Sequence, residues 1–134
     1  MMTPMSRLFV ILSGLLGHTA DAFGAFGAHG LRARFESRPD GVKRLEWWNT
    51  AAHYHLVHAV ALAFVAWLAH REPGTPSTVA GWCFVAGILL FSGSLYLMAL
   101  TGQTKLGAIT PFGGLLMMAG WTAIVVVGVR LGAG

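Results

Sequence analysis

Thr78-Val-Ala-Gly-Trp-Cys-Phe-Val-Ala-Gly-Ile-Leu-Leu-Phe-Ser-Gly-Ser-Leu-Tyr-Leu-Met-Ala-Leu-Thr101 carries no charged side chain. As a helix rising 1.5 Å per residue it would reach about 36 Å, enough to cross a hydrocarbon core about 30 Å thick. Outward from this stretch the pattern repeats. From Pro73 to Gly134 the charged residues are Lys105 and Arg130. Further apolar runs stand at about 8–31, 47–69 and 107–129, with this one at 78–101. The nine basic residues (Arg7, Arg32, Arg34, Arg38, Lys43, Arg44, Arg71, Lys105, Arg130) lie at or beyond the ends of these runs. Glu36, Asp40, Glu46 and Glu72 sit beside them, and only Asp21 falls inside a run. Charged residues make up 10% of the 134, against about 25% in soluble domains. So few charges could not cover the surface of a soluble domain, so lipid is the solvent. A bilayer interior offers backbone groups no water, and the runs are too long and continuous for barrel strands. The reading is an all-α membrane protein, a four-transmembrane-helix bundle with short loops, forming one membrane domain over 1–134.

The connections carry breakers. Pro39-Asp40-Gly41 marks a turn in the first, Pro73-Gly74-Thr75-Pro76 breaks the second, and Thr101-Gly102-Gln103-Thr104 opens the third. Thr110-Pro111 then fits a helix start, with Thr as cap and Pro at the first helical position. Arg7, the apolar Leu8–Gly17 and Ala20-Asp21-Ala22 together look like a signal peptide; the segment is read here as the first membrane helix. The first and third connections hold Arg32, Arg34, Arg38, Lys43, Arg44 and Lys105; the termini and second connection hold Arg7, Arg71 and Arg130. The positive-inside rule then puts both termini outside the cytoplasm. Trp47, Trp48 and Trp67 near the ends of the second run suit interfacial belts. The net charge of +4 and pI near 10.0 do not point to nucleic acid, because the basic residues cluster at Arg32–Arg44 as a membrane flank does. Cys83, alone inside a span, has no disulfide partner in the chain and reads as a small apolar side chain.

The glycines in and beside the spans (among them Gly14, Gly17, Gly24, Gly27, Gly87, Gly93, Gly113, Gly114 and Gly120) let membrane helices approach closely. That serves packing within the bundle, and some of them can face a second protomer or another subunit. Ser92, Ser94, Tyr96 and Thr101 form a polar group in the third span; Ser and Thr there are expected to bond back to their own helix. His18, Asp21, Ala25 and His29 recur at helical spacing on one face of the first span, as His55 and His58 do on the second. An acid within a span costs about 2.5–3.5 kcal/mol on insertion scales. Asp21 is therefore expected to face the bundle interior, paired with His18, His55 or His58. The main reading of this set is a buried network that fixes helix register. The alternatives are a metal or haem site built from His29, His55, His58, His18 and Asp21, since imidazole suits Zn, Cu and Fe, or a proton or small-solute pathway. The sequence requires no cofactor. No nucleophile–base pair, carboxylate pair or phosphate-binding glycine loop appears.

Taken in order, Gly24-Ala-Phe-Gly-Ala-His-Gly-Leu31, Trp48-Asn-Thr-Ala-Ala-His-Tyr-His-Leu-Val-His58, Phe91-Ser-Gly-Ser-Leu-Tyr96, Ala99-Leu-Thr-Gly102 and Ile109-Thr-Pro-Phe-Gly-Gly114 closely resemble the DUF423 family. These are small four-helix inner-membrane proteins of bacteria, with mitochondrial relatives. The resemblance covers nearly the whole chain and implies four helices in a membrane, with no activity attached. The family positions carried over are Phe26, Gly27, His29, Gly30, Tyr54, His58, Ser92, Gly93, Ser94, Tyr96, Thr110, Pro111 and Gly113. His18-Thr-Ala-Asp21 departs from the small, apolar residues that precede the first motif in that family. The expectation for function is non-enzymatic: an accessory or structural subunit of the bacterial inner membrane, packed in a homo-oligomer or a larger membrane complex.

Overall fold

The computed structural model describes residues 1–132. Its long helices are α1 (Pro4–Phe35), α2 (Gly41–Arg71), α3 (Thr75–Thr101) and α4 (Thr110–Leu131). Each is long and apolar enough to cross a membrane, and the described residues contain no strand. The protein is thus an all-α membrane protein of four spanning helices. The helices outrun the apolar runs because hydropathy marks the part in lipid, whereas a helix continues until a breaker stops it. Between α1 and α2 the stop is a tight turn, with Arg38 N–H bonded to Phe35 O at 2.9 Å and Gly41 N–H to Arg38 O at 3.1 Å.

Thr3 caps α1 by accepting from Ser6 N–H at 3.1 Å, with Pro4 at the first position. Near its other end α1 widens into a π turn at Gly27–Leu31. The cause lies in α2: the Trp48 indole N–H donates to Phe23 O at 2.7 Å, and its ring lies so close that Gly27 has no room for a Cβ. A side chain pushed into the ladder in this way opens one turn. The start of α4 differs from the sequence expectation. Thr110 does not cap it; the capping position is Ile109, and the Thr110 hydroxyl pairs with Ser94 Oγ at 2.7 Å. A hydroxyl at this level gains an interhelical partner instead of a local one.

The helices pack in series, α1 on α2, α2 on α3, α3 on α4. The diagonal contacts are slight, Phe9 of α1 against Gly81 and Trp82 of α3, and His58 of α2 against Trp121 of α4. α1 and α4 do not touch among the described residues. The result is a staggered layer with α2 and α3 at its centre. Two apolar clusters fill it. Phe9, Leu62, Val65, Ala66, Ala80, Phe84 and Ala123 join all four helices at one end. Leu31, Phe35, Trp48, Ala51, Leu95 and Ala99 join α1, α2 and α3 at the other. Glycines bring α3 and α4 together: Gly113 lies on the Phe91 backbone, and a Cβ at Gly87 would stand 3.1 Å from Gly113 O.

One charge is built into the fold. Arg44 is buried, and its Nη1 donates to Ala99 O at 3.2 Å and Leu100 O at 3.3 Å, the carbonyls at the end of α3. Its Nε donates to Asp40 Oδ2 at 2.7 Å. A cation at the negative end of a helix is favourable. Gly102 closes α3 with φ of 75°, and Arg44 fills the space where a Cβ would stand.

Candidate intramembrane polar sites

Trp47 and Trp67 lie about 30 Å apart along α2, the thickness of a hydrocarbon core. His55 and His58 fall near the middle of that interval. Both are buried, at 4% and 5% exposure, but their surroundings differ. His58 Nδ1 lies 2.8 Å from Tyr54 O, a carbonyl, so Nδ1 carries the proton and donates. Nε2 then accepts from the Trp121 indole N–H at 3.2 Å. The imidazole is neutral with both nitrogens bonded, and it ties α2 to α4. To bind a metal or carry a proton it would have to break one of these bonds.

His55 is only half-satisfied. Its Nδ1 lies 3.1 Å from the Tyr96 hydroxyl, and Nε2 has no partner among the described residues. Phe23 packs edge-on against Tyr96 at 4.9 Å, and Trp48 lies 4.6 Å from the same ring. Ser92 lies beneath, fully buried. Against expectation, Ser92 does not bond its own helix but reaches Ala51 O of α2 at 2.8 Å. Ser94 and Thr101 do bond back, to Phe91 O at 2.9 Å and Leu97 O at 2.6 Å.

The remaining candidates stand elsewhere. His18, Asp21 and His29 are all exposed on α1, and no hydrogen bond or ion pair to their side chains is present among the described residues. Asp21 thus does not face the bundle interior, and neither His55 nor His58 partners it. The reason is the layout: α1 meets only one helix along most of its length, so its outer face stays outside. No group of three or more His, Cys, Asp or Glu able to hold a metal comes together among the described residues.

The family-motif residues prove to be contact residues. Gly27 underlies Trp48, Gly30 underlies Phe26, and Phe26 stands 5.8 Å from Trp48. Tyr54 packs on Phe91 at 4.5 Å. Gly113 admits Phe91, Thr110 pairs with Ser94, and Pro111 starts α4. Gly93 and His29 are the exceptions: Gly93 has open space where a Cβ would be, and His29 is exposed. Sequence reasoning missed Arg44 as a specific residue, treating it as one basic flank among several. The signal was Gly102 closing a span, which asks for a donor at the carbonyls it leaves free.

Comparison with known proteins fits this picture. Residues 23–114 match the family described as "Protein of unknown function (DUF423)". The chain is 46% identical to the UPF0382 membrane protein YwdK of Bacillus subtilis, over 92% of this chain and 98% of that one. It is 39% identical to the UPF0382 membrane protein SH2409 of Staphylococcus haemolyticus, over 90% and 93%. It is also 36% identical to a UPF0382 membrane protein of Haemophilus influenzae, over 90% and 92%. No solved structure matches. With four spanning helices, motifs that sit at helix contacts, and relatives matched almost end to end, the chain belongs to the DUF423 family of membrane proteins.

Proposed function

We propose that the protein is a non-enzymatic structural subunit of the bacterial inner membrane that assembles with a second copy of itself through α1. The observation that carries this reading is the exposed stripe Gly14, His18, Asp21, Ala25 and Ala28. These residues recur every three or four positions, the spacing of a left-handed helix–helix seam. Asp21 stands about 3 Å along the helix inside Phe23, which is bonded to Trp48 near one membrane edge, and His18 stands about a turn deeper. An acid and an imidazole there are costly unless another protein covers them. The neighbouring residues are small, and Gly14, Gly17 and Gly24 have nothing within 4 Å of a would-be Cβ. They are open to a backbone approaching from outside. Each copy carries both a base and an acid on this face, so the face complements itself, as a two-fold interface requires. Both termini lie outside the cytoplasm in this reading.

Disulfide trapping in native membranes tests the proposal in a Cys83→Ser background. Gly14→Cys and Ala25→Cys are expected to give dimers of this chain, while Leu15→Cys, exposed on another face of α1, gives few. Equal, low trapping at all three positions would sink the reading. Trapping of a different protein at Gly14 and Ala25 would make the chain an accessory to that partner.

A further inference from the structure

The turn between α1 and α2 forms an open cavity of about 320 Å³. Arg32, Glu36 and Arg38 line it from the end of α1 and the turn, and Val42 and Leu45 from the start of α2, with Phe35 completing its apolar part. Arg32, Glu36 and Arg38 are exposed. Among the described residues the arginine side-chain bonds all belong to Arg44, which Asp40 and two carbonyls match. Arg32 and Arg38 therefore stand in the cavity unpaired, and Glu36 bridges to neither. Two guanidiniums against one carboxylate leave the cavity an excess of one positive charge.

Depth and Val42 narrow what this charge meets. Trp47 stands at one edge of the hydrocarbon, and Leu45 and Val42 lie about 3 and 7.5 Å beyond it along α2. The headgroup layer is roughly 5–8 Å deep on each face of a bilayer, so the cavity lies at headgroup level. Val42 is 77% exposed there, a branched apolar side chain directly beside free cations. A small inorganic anion would satisfy the guanidiniums and leave that carbon surface bare. A ligand that suits the whole cavity carries one negative charge, some carbon and a hydroxyl for Glu36.

We propose that this cavity binds the headgroup of an anionic phospholipid of the phosphatidylglycerol class. Arg32 and Arg38 hold the phosphodiester, whose oxygens match the planar fork of a guanidinium. The free glycerol hydroxyls donate to Glu36, and the glycerol carbons cover Val42 and Leu45. The single charge of the lipid matches the single excess charge of the cavity, whereas a zwitterionic headgroup leaves that excess standing. Basic flanks attract anionic membranes diffusely; here two of the flank's cations share one cavity, so one lipid is held at one place. The proposal is independent of the α1 interface and of which side of the membrane the turn occupies.

The test is native mass spectrometry of the full chain in detergent, titrated with dioleoyl phosphatidylglycerol. One lipid is expected to bind saturably per chain. Arg32→Gln combined with Arg38→Gln should weaken binding at least tenfold. Val42→Glu, which adds a second carboxylate to the cavity, should weaken it as much by an independent route. Arg34→Gln, outside the cavity, should change it less than threefold. All these side chains are exposed, so the melting temperature without lipid should stay at the wild-type value, separating lost binding from lost fold. Equal binding by wild type and the Arg32→Gln/Arg38→Gln chain would mean an annular lipid only and would overturn the proposal. So would dioleoyl phosphatidylethanolamine binding as tightly as phosphatidylglycerol, since net charge would then select nothing. Displacement of the lipid by an equal concentration of glycerol phosphate would assign the cavity to soluble phosphoesters and overturn the lipid class.

Discussion

His58 and Asp40 show how far single side chains decide matters here. The Trp121–His58 bond is the one side-chain hydrogen bond between α2 and α4 among the described residues. Interhelical hydrogen bonds in membranes are worth about 0.6 kcal/mol on average. Trp121→Phe should therefore destabilise the protein by about that much plus the smaller ring's lost contacts. Adding His58→Leu should cost less than the two single changes summed, because each single change strands the other's partner. Thermal unfolding of the singles and the double in one detergent checks this. Asp40 lies outside the membrane. Its hydrogen bond to Arg44, helped by that guanidinium's charge, holds its carboxyl below the usual carboxylate range. A depressed folded-state pKa gives stability that is full above the unfolded value of about 3.9 and lost as pH falls through the folded one. Asp40→Asn should thus flatten the acid limb of a stability–pH curve below about pH 4 and leave its shape near neutral pH unchanged.

At the scale of helices, the spans were legible and their neighbours were not. Charge gaps alone locate the runs at 8–31, 47–69, 78–101 and 107–129, because no soluble alternative exists for such segments. Who packs on whom is hidden, since a lipid-facing leucine and a core leucine obey the same chemistry. The glycines illustrate this. Gly14 and Gly17 read like Gly87 and Gly113, yet a Cβ on either of the first pair would meet nothing within 4 Å among the described residues, and the second pair holds α3 against α4. Asp21 misled for the same reason. The rule that an intramembrane acid faces protein says nothing about which protein. The motif positions pointed to real contacts, but His55 and His58 read alike until their partners were seen. Opposite outcomes follow for two similar substitutions. Gly113→Leu drives a side chain into the Phe91 backbone and should cost about 3 kcal/mol or more, the upper range for overpacking. Gly14→Leu should leave protomer stability unchanged or slightly higher, since leucine is the better helix former, while reducing disulfide-trapped dimers from Ala25→Cys. Melting curves and trapping yields on the same preparations separate the two effects.

At the scale of the whole molecule, the staggered layer makes orientation a matter of two loop surfaces. Arg44 binds the end of α3, so the first and third connections are held together on one side. That side carries Arg32, Arg34, Arg38, Lys43 and Lys105 besides Arg44, and the other carries Arg7, Arg71 and Arg130. Arg44 is buried and bonded to carbonyls and Asp40, so its charge is partly matched within the fold. Without it the bias is still five against three, in the sense that retains the first and third connections in the cytoplasm. Lys43 belongs to the same face: its ammonium stands 5.4 Å over the Trp47 ring, a cation and an aromatic together at one membrane boundary. In intact cells carrying Cys83→Ser, Thr75→Cys in the second connection should react with a membrane-impermeant maleimide. Ser37→Cys in the first should react only after permeabilisation. Reversing the charge of Arg32, Arg34 and Arg38 together should shift part of the population to the opposite pattern, because removing basic residues leaves the second connection and termini richer. Equal labelling of both cysteines in unmodified cells would mean dual topology.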